Sequence, residues 1–310
     1  MNPVNKDDIL VWYECDISGG PDWSLIDLVN NWPDKKKKFI VYVNANHEGL
    51  KLLKSKSNER FIIRSVSKYF FISYWKKKFK KIFNNFISNF FLIPIFAITS
   101  FFLFFYGFIL FLRSNKEYIV FSNGGYPGGF SNYPIMLLAK FLCFKKKIMI
   151  IRSHVNDIKF RFIFDILTNL CLNKLIVISK VIKSEIINRN IFSEKKVEII
   201  YPGIDSNRIK FNEKQIFVKE DFVIGIVGHL SSRKGHVILF DAINEIYKKF
   251  ENLKIHIIGS DVTEKNNKKS QKKFLMQIAK KNGFEEIIYW TNYSNNVLFH
   301  IRRMDILVLP

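Results

Sequence analysis

With 310 residues, 48% of them apolar, the chain is long enough for two domains of ordinary size and too hydrophobic to be disordered. Its formal charge of +22 suits nucleic acid or an anionic membrane surface, although heavy use of Lys, Phe, Ile and Asn is also what an AT-rich coding sequence would produce. Cys15, Cys143 and Cys171 are scattered, without CxxC spacing or a histidine cluster, and no basic-then-apolar signal opens the chain; a reducing compartment, no structural metal and no secretion are expected.

In chain order, short apolar strands are predicted at 8–14, 39–46, 61–67, 117–123, 147–155 and 174–179, with helices at 22–32, 133–144 and 157–173 among them. Uniformly apolar strands alternating with helices indicate a parallel sheet covered on both faces. One segment departs from this pattern. No Asp or Glu occurs from Phe61 to Lys116, and Ile82 to Leu112 carries no charge, ending in FFLIPIFAITSFFLFFYGFILFL at 90–112. That run is long enough to cross a bilayer, and KKKFKK at 76–81 with Arg113 and Lys116 flanks it with cations suited to lipid phosphates. The strands on either side belong to one sheet, which cannot assemble across a membrane. The expectation is therefore a helical insertion at about 70–115 that enters one leaflet as a monotopic or re-entrant hairpin broken at Pro94. Its competitor is a long helix buried in the domain.

Pro202 and Gly203, followed by polar residues, suggest a boundary within 199–212, dividing the chain into domains 1–205 and 206–310. Beyond it the alternation restarts: strand 222–228, helix 236–250, strand 253–260, helix 268–282, strand 286–292, helix 295–304 and strand 305–310. Two Rossmann-like doubly wound units in series result. The second is expected to be incomplete, since its last strand has no helix after it.

Ligands of open parallel sheets sit at the carboxyl ends of the strands, where loops and helix N-termini present N–H groups. The stretch GHLSSRKG at 228–235 occupies such a place. Arg233 and Lys234 can neutralise a diphosphate there, and Gly228 and Gly235 allow close backbone approach. The spacing is not that of a P-loop, and no GxGxxG dinucleotide fingerprint occurs. A solvated basic turn is the plainer alternative for a Lys-Gly pair alone.

Taken together, IIYPGID (199–205), IGIVGHLSSRKGHVILFDAI (224–243), LKIHIIGSD (253–261) and IIYWTNYSNNVLFHIRRMDILVLP (287–310) resemble the donor domain of family 4 glycosyltransferases. These are retaining enzymes of GT-B fold that use nucleotide sugars. The first half resembles their acceptor domain through GGPDWSL (19–25) and SNGGYPGG (122–129). The resemblance implies that Lys234 is the phosphate-binding lysine and that Gly19 and Gly20 approach the donor phosphates and sugar. By the same resemblance His154 lies near the transferred sugar, and Ser260 and Asp261 near the base. His229 stands where the family usually has arginine, and Arg233 is the candidate substitute for that cation. Asn123, Tyr126 and Asn132 are expected to face the acceptor. An acidic E-x7-E stretch follows the last strand in the family, and this chain ends before it, so a polypeptide cut at Pro310 is expected to be impaired.

The resemblance further implies no metal and no cofactor beyond the nucleotide-sugar co-substrate, because cations and helix dipole stabilise the leaving group. The expected partners are a nucleotide-sugar donor, a lipid-linked glycan acceptor of a bacterial surface polysaccharide, and the anionic inner leaflet. The expected place is the cytoplasmic face of the inner membrane, without nucleic acid. Rival classes are a non-catalytic remnant of such an enzyme, a basic nucleic-acid or membrane-surface binder, and a nicotinamide oxidoreductase. Against the last two stand lysine runs that form no basic recognition helix and the missing glycine fingerprint.

Overall fold

Every residue of the first strand, β1 (Ile9–Glu14), is buried, and so is every residue of β2 (Phe39–Asn44). Successive side chains of β1 enter different cores. Leu10 and Trp12 join one cluster, while Ile9, Val11 and Tyr13 join another on the opposite face, the period-two signature of a strand covered on both sides. The computed structural model describes residues 8–15, 18–79, 82, 85–112, 114, 116–158, 160–203, 221–261, 270–294 and 296–310. The chain divides into two units, 1–205 and 206–310.

In the first unit seven parallel strands follow the order β3-β2-β1-β4-β5-β6-β7. The remaining strands are β3 (Phe61–Val66), β4 (Tyr118–Asn123), β5 (Lys146–Ile151), β6 (Lys174–Val177) and β7 (Val197–Ile199). Leu10 pairs with Ile40 on one side and Ile119 on the other. Helices α1 (Gly20–Asn30) and α2 (Leu50–Ser55) contribute Leu25, Ile26, Val29 and Leu53 to one core. The opposite core receives α4 (Asn85–Phe111), α5 (Asn132–Phe141), α6 (Arg161–Cys171) and α7 (Lys180–Ile187). Strand β5 is shorter than the predicted 147–155: it ends at Ile151, and beyond it the Arg152 N–H donates to the Gly124 carbonyl and Val155 forms an isolated bridge with Tyr126. Strand β7 pairs with β6 through Val197–Ile199, so the start of the predicted 199–212 boundary still belongs to the first sheet. Positions 204–212 lie outside the described residues.

The insertion is helical, but Pro94 does not divide it. Helix α4 runs unbroken from Asn85 to Phe111, and α3 (Ile72–Phe79) packs along it. The ring of Phe70, just before α3, stacks on Tyr106 at 5.0 Å, and Phe79 at its end stacks on Phe91 at 6.1 Å. Every fourth residue of α4 from Thr99 through Leu103 and Gly107 to Phe111 turns inward, the repeat that keeps one helical stripe on one side. A Cβ on Gly107 would stand 2.8 Å from the side chains of Ile135 and Leu138, so glycine is what lets α4 and α5 pack closely. The outer side, with Ile93, Phe101, Phe105 and Ile109, is exposed. A helix clasped along one stripe is neither the fully buried helix nor a free span. Of its expected cationic flanks, Lys80, Lys81 and Arg113 lie outside the described residues.

The second unit is a four-stranded parallel sheet of order β10-β9-β8-β11. Its strands are β8 (Phe222–Val227), β9 (Leu253–Ile258), β10 (Ile288–Thr291) and β11 (Ile306–Leu307), and its helices are α8 (His236–Ile246), α9 (Gln271–Asn282) and α10 (Val297–Ile301). Leu239, Phe240 and Ile243 of α8 pack on Ile224, Ile226 and Ile257 of the sheet. The predicted helix to 250 ends at Ile246, where a 3-10 turn, Tyr247–Lys249, takes over.

Candidate functional site

In the second unit the chain leaves β8 at Gly228, whose N–H donates to the carbonyl of Ile258 at 2.9 Å. It then forms a 3-10 turn, Ser232–Lys234, and enters α8 through Gly235 at φ +68, a left-handed conformation that glycine adopts without strain. The stem of Lys234 folds back over Gly228: a Cβ there would meet its Cδ, Cε and Cγ at 3.4 to 3.6 Å. The ammonium is thus held at the carboxyl end of β8 beside the N-terminus of α8. Arg233 and Lys234 are both exposed, and neither is ion-paired with a described residue. Two unneutralised cations at a strand end and helix N-terminus make a site for an anion.

Sequence reasoning passed over His236, which lies buried directly behind this loop. Burial, reinforced by the nearby charge of Lys234, holds its pKa below the ordinary histidine value. The signal was its place at the first helical position after a glycine. His229 faces the neighbouring strand end, its Nδ1 3.0 Å from the Ser260 hydroxyl, and the Leu230 N–H donates to the Ser260 carbonyl at 3.0 Å. Ser260 therefore ties the β8 and β9 loops together. Asp261 is engaged at α9, where its carboxylate accepts from the Ser270 hydroxyl and the Lys272 N–H; it serves as a cap to that helix.

In the first unit three loops leave the carboxyl ends of the adjacent strands β1, β4 and β5. After β1, Gly19 adopts φ +151 and precedes α1; a Cβ on Gly19 or Gly20 would meet nothing within 4 Å, so the backbone here faces open space. Beneath it lies Asp22, fully buried. Its carboxylate accepts from the Tyr13 hydroxyl at 2.6 Å, the Ser18 hydroxyl at 3.0 Å and the Gly19 N–H at 3.0 Å, and pairs with His47 Nε2 at 2.8 Å. Burial opposes ionisation of Asp22, but the bonds from His47, Tyr13 and Gly19 outweigh it and hold the carboxyl below its ordinary pKa. Burial, with Cys15 and Asp22 nearby, pushes the Tyr13 phenol far up. A Cβ on Gly49 would come within 2.2 Å of Asp22 Oδ2, so glycine is required there too. No sequence motif announced Tyr13, Asp22 and His47 as a group.

After β5, His154 is exposed, its side chain 74% accessible, and its Nδ1 lies 2.9 Å from Glu185 Oε1 on α7. Glu185 Oε2 accepts the Val155 N–H at 2.9 Å. The Val155 bond, then the His154 bond, hold the Glu185 carboxyl below its ordinary pKa. One carboxylate thus fixes both the ring and the backbone that carries it, leaving Nε2 outward.

Asn123, Tyr126 and Asn132, expected to face an acceptor, are all buried. Asn123 donates to the Gly128 carbonyl at 2.7 Å, and the Tyr126 hydroxyl donates to Asp165 at 2.8 Å. They build the loop from within and do not line its open side. Their burial follows from the glycines around them: at Gly129 a Cβ would stand 2.5 Å from Asn132 Nδ2 and 2.9 Å from Asn123 Oδ1. Among the described residues no group of three or more His, Cys, Asp or Glu side chains is placed to hold a metal ion.

Comparison with known proteins fits this arrangement. Residues 207–310 match the family described as Glycosyl transferases group 1. Over 151 residues the chain is 30% identical to the capsular polysaccharide biosynthesis glycosyltransferase CapM of Staphylococcus aureus, an alignment spanning 45% of this chain and 38% of CapM. Among solved structures, Anabaena HepE in complex with UDP and glucose superposes with a TM-score of 0.64 at 16% identity, over 97% of this chain and 73% of HepE. A glycosyltransferase from Rickettsia africae gives 0.67 at 13% identity, over 99% of this chain and 73% of its own. The chain therefore has the GT-B fold, and its residues 207–310 are similar to the glycosyl transferases group 1 family.

Proposed function

We propose that the chain is a retaining glycosyltransferase that moves a sugar from a nucleotide-sugar donor to a lipid-linked glycan of a bacterial surface polysaccharide, at the cytoplasmic face of the inner membrane. The observation that carries this reading is the 228–235 loop, where Lys234 is laid over Gly228 with its charge unneutralised. Lys234, Arg233 and the first amides of α8 take the donor diphosphate, and stabilise the negative charge that grows on it as the glycosidic bond breaks. His229 and Ser260 shape the same strand end, and Asp261 closes its far side by holding α9. Taken by itself, the first unit has its own candidate sugar contacts in the Gly19–Gly20 backbone and in His154, whose Nε2 is left outward.

In this reading the departing diphosphate deprotonates the acceptor hydroxyl on the same face of the sugar, since no side chain among the described residues is assigned the part of nucleophile. The role of CapM in capsular polysaccharide synthesis supports a surface glycan as acceptor. The outward apolar side of α4, with Lys76, Lys77 and Lys78 on α3, supports a membrane-seated acceptor.

A thermal-shift screen with uridine and guanosine diphosphosugars, followed by transfer of labelled sugar to inner-membrane lipid extract, tests the reading. A midpoint raised by one nucleotide series, and label entering the organic phase, is the expected result. No shift with any nucleotide sugar, together with a shift on adding DNA, would assign the protein to nucleic-acid binding.

A further inference from the structure

Helix α6 is apolar on the side that faces away from the sheet. Phe162, Ile163, Ile166 and Leu170 share that side and are exposed, Phe162 at 54% and Leu170 at 60%. The inner side carries Phe164 and Leu167 against the core, together with Asp165, which is 1% exposed. Both oxygens of Asp165 accept from Arg189 Nη1, at 2.8 and 2.9 Å. The one carboxylate of the helix therefore points inward and is engaged, while its large apolar side chains point out.

The apolar surface continues onto neighbouring helices. Leu137 and Phe141 of α5 are exposed, as are Ile93, Phe101 and Phe105 of α4, and the Phe141 ring lies 6.3 Å from that of Phe104 on α4. Helices α3 to α6 carry exposed Lys76, Lys77, Lys78, Lys140 and Arg161 and, among their described residues, no exposed carboxylate; Arg161 pairs with Asp157 in the preceding loop. An apolar face with such cations suits an anionic lipid leaflet. A second copy of the chain would oppose like charges across it.

We propose that α6, with α4 and α5, lies in the headgroup–acyl boundary of an anionic leaflet, so that three helices seat the first unit and not α4 alone. This rests on the membrane-bound reading above and deepens it. His154 lies shortly before α6 in the chain, and Phe160, at the head of that helix, is exposed at φ +59. Seating α6 therefore sets the height of His154 above the lipid, in the layer where the diphosphate and first sugars of a lipid-linked acceptor reside.

The test is flotation of the whole chain with phosphatidylethanolamine–phosphatidylglycerol vesicles. Wild type is compared with F162S/I166S/L170S on α6 and with F101S/F105S/I109S on α4, all at exposed positions. Each triple is expected to lower partitioning by on the order of 100-fold, with the nucleotide-induced thermal shift unchanged. As a pair matched for disruption, Ile166→Glu should lose more binding than Ile166→Lys. Wild-type partitioning by the α6 triple, beside loss by the α4 triple, would overturn the three-helix face and leave α4 as the anchor. Failure of wild type to float would overturn both. A dimer dispersed by the α6 triple without flotation would make a second copy the occupant and overturn the leaflet.

Discussion

The loops that follow β1 and β8 hold the same topological place, each leaving the first strand of its unit for a helix, yet they are built on opposite principles. The Gly19–Gly20 loop is braced from beneath by a buried carboxylate that gathers Tyr13, Ser18, Gly19 and His47, and offers backbone to open space. The Gly228–Gly235 loop places Arg233 and Lys234 on its outside, with Lys234 aligned by its own stem against glycine. One contributes a rigid shape and the other contributes charge. A parallel sheet thus fixes where chemistry happens, while short-range contacts decide what kind it is.

The sharpest way to break this contrast is to remove the brace. Asp22→Ala strands the Tyr13 hydroxyl and His47 Nε2 in the interior, and is expected to destabilise the first unit by ~3–5 kcal/mol, read by urea denaturation. A loss under about 1 kcal/mol would mean that the loop does not depend on it. The same group gives a pH signature. Because the folded-state pKa of Asp22 is lowered, its stabilisation is complete above its ordinary value of 3.8 and is lost as pH falls through the folded value. Asp22→Asn should therefore flatten the acid limb of the stability curve.

Lys234→Ala should do the reverse, leaving the unfolding midpoint alone while lowering kcat by on the order of 100-fold, with a smaller change in donor KM. Arg233→Ala is expected to cost less, since its stem is not held against Gly228. Glu185→Gln should lower turnover by roughly 10-fold by releasing the His154 ring, without altering nucleotide binding. Equal losses in both would make Glu185 merely structural. The smallest expected effect is that of EDTA: transfer proceeds at an unchanged rate if Arg233, Lys234 and α8 carry the leaving-group charge.

Much of the fold was legible, because uniformly apolar strands alternating with helices admit few arrangements. The charged loop was equally legible, since its glycines, cations and preceding strand are contiguous from 228 to 235. What the sequence hid depends on strands meeting in space. His47 reaches Asp22 because β1 and β2 are parallel neighbours, and Glu185 reaches His154 from α7, 31 positions away. Polarity alone also misled at Asn123, Tyr126 and Asn132, whose side chains serve the interior of a glycine-rich loop. For α6 the periodicity marks a stripe but not its direction, since Phe164 and Leu167 on one side and Phe162 and Ile166 on the other are equally apolar. Pro94 reads as a break, yet a helix clasped by its neighbours from Thr99 onward tolerates it.

The most direct test of the central claim is a crystal structure of the protein with uridine or guanosine diphosphate. The account predicts the diphosphate at the end of β8, within about 3 Å of Lys234 Nζ and the first amides of α8. A nucleotide bound with its phosphates away from Lys234, or seated equally well in Lys234→Ala crystals, would contradict it.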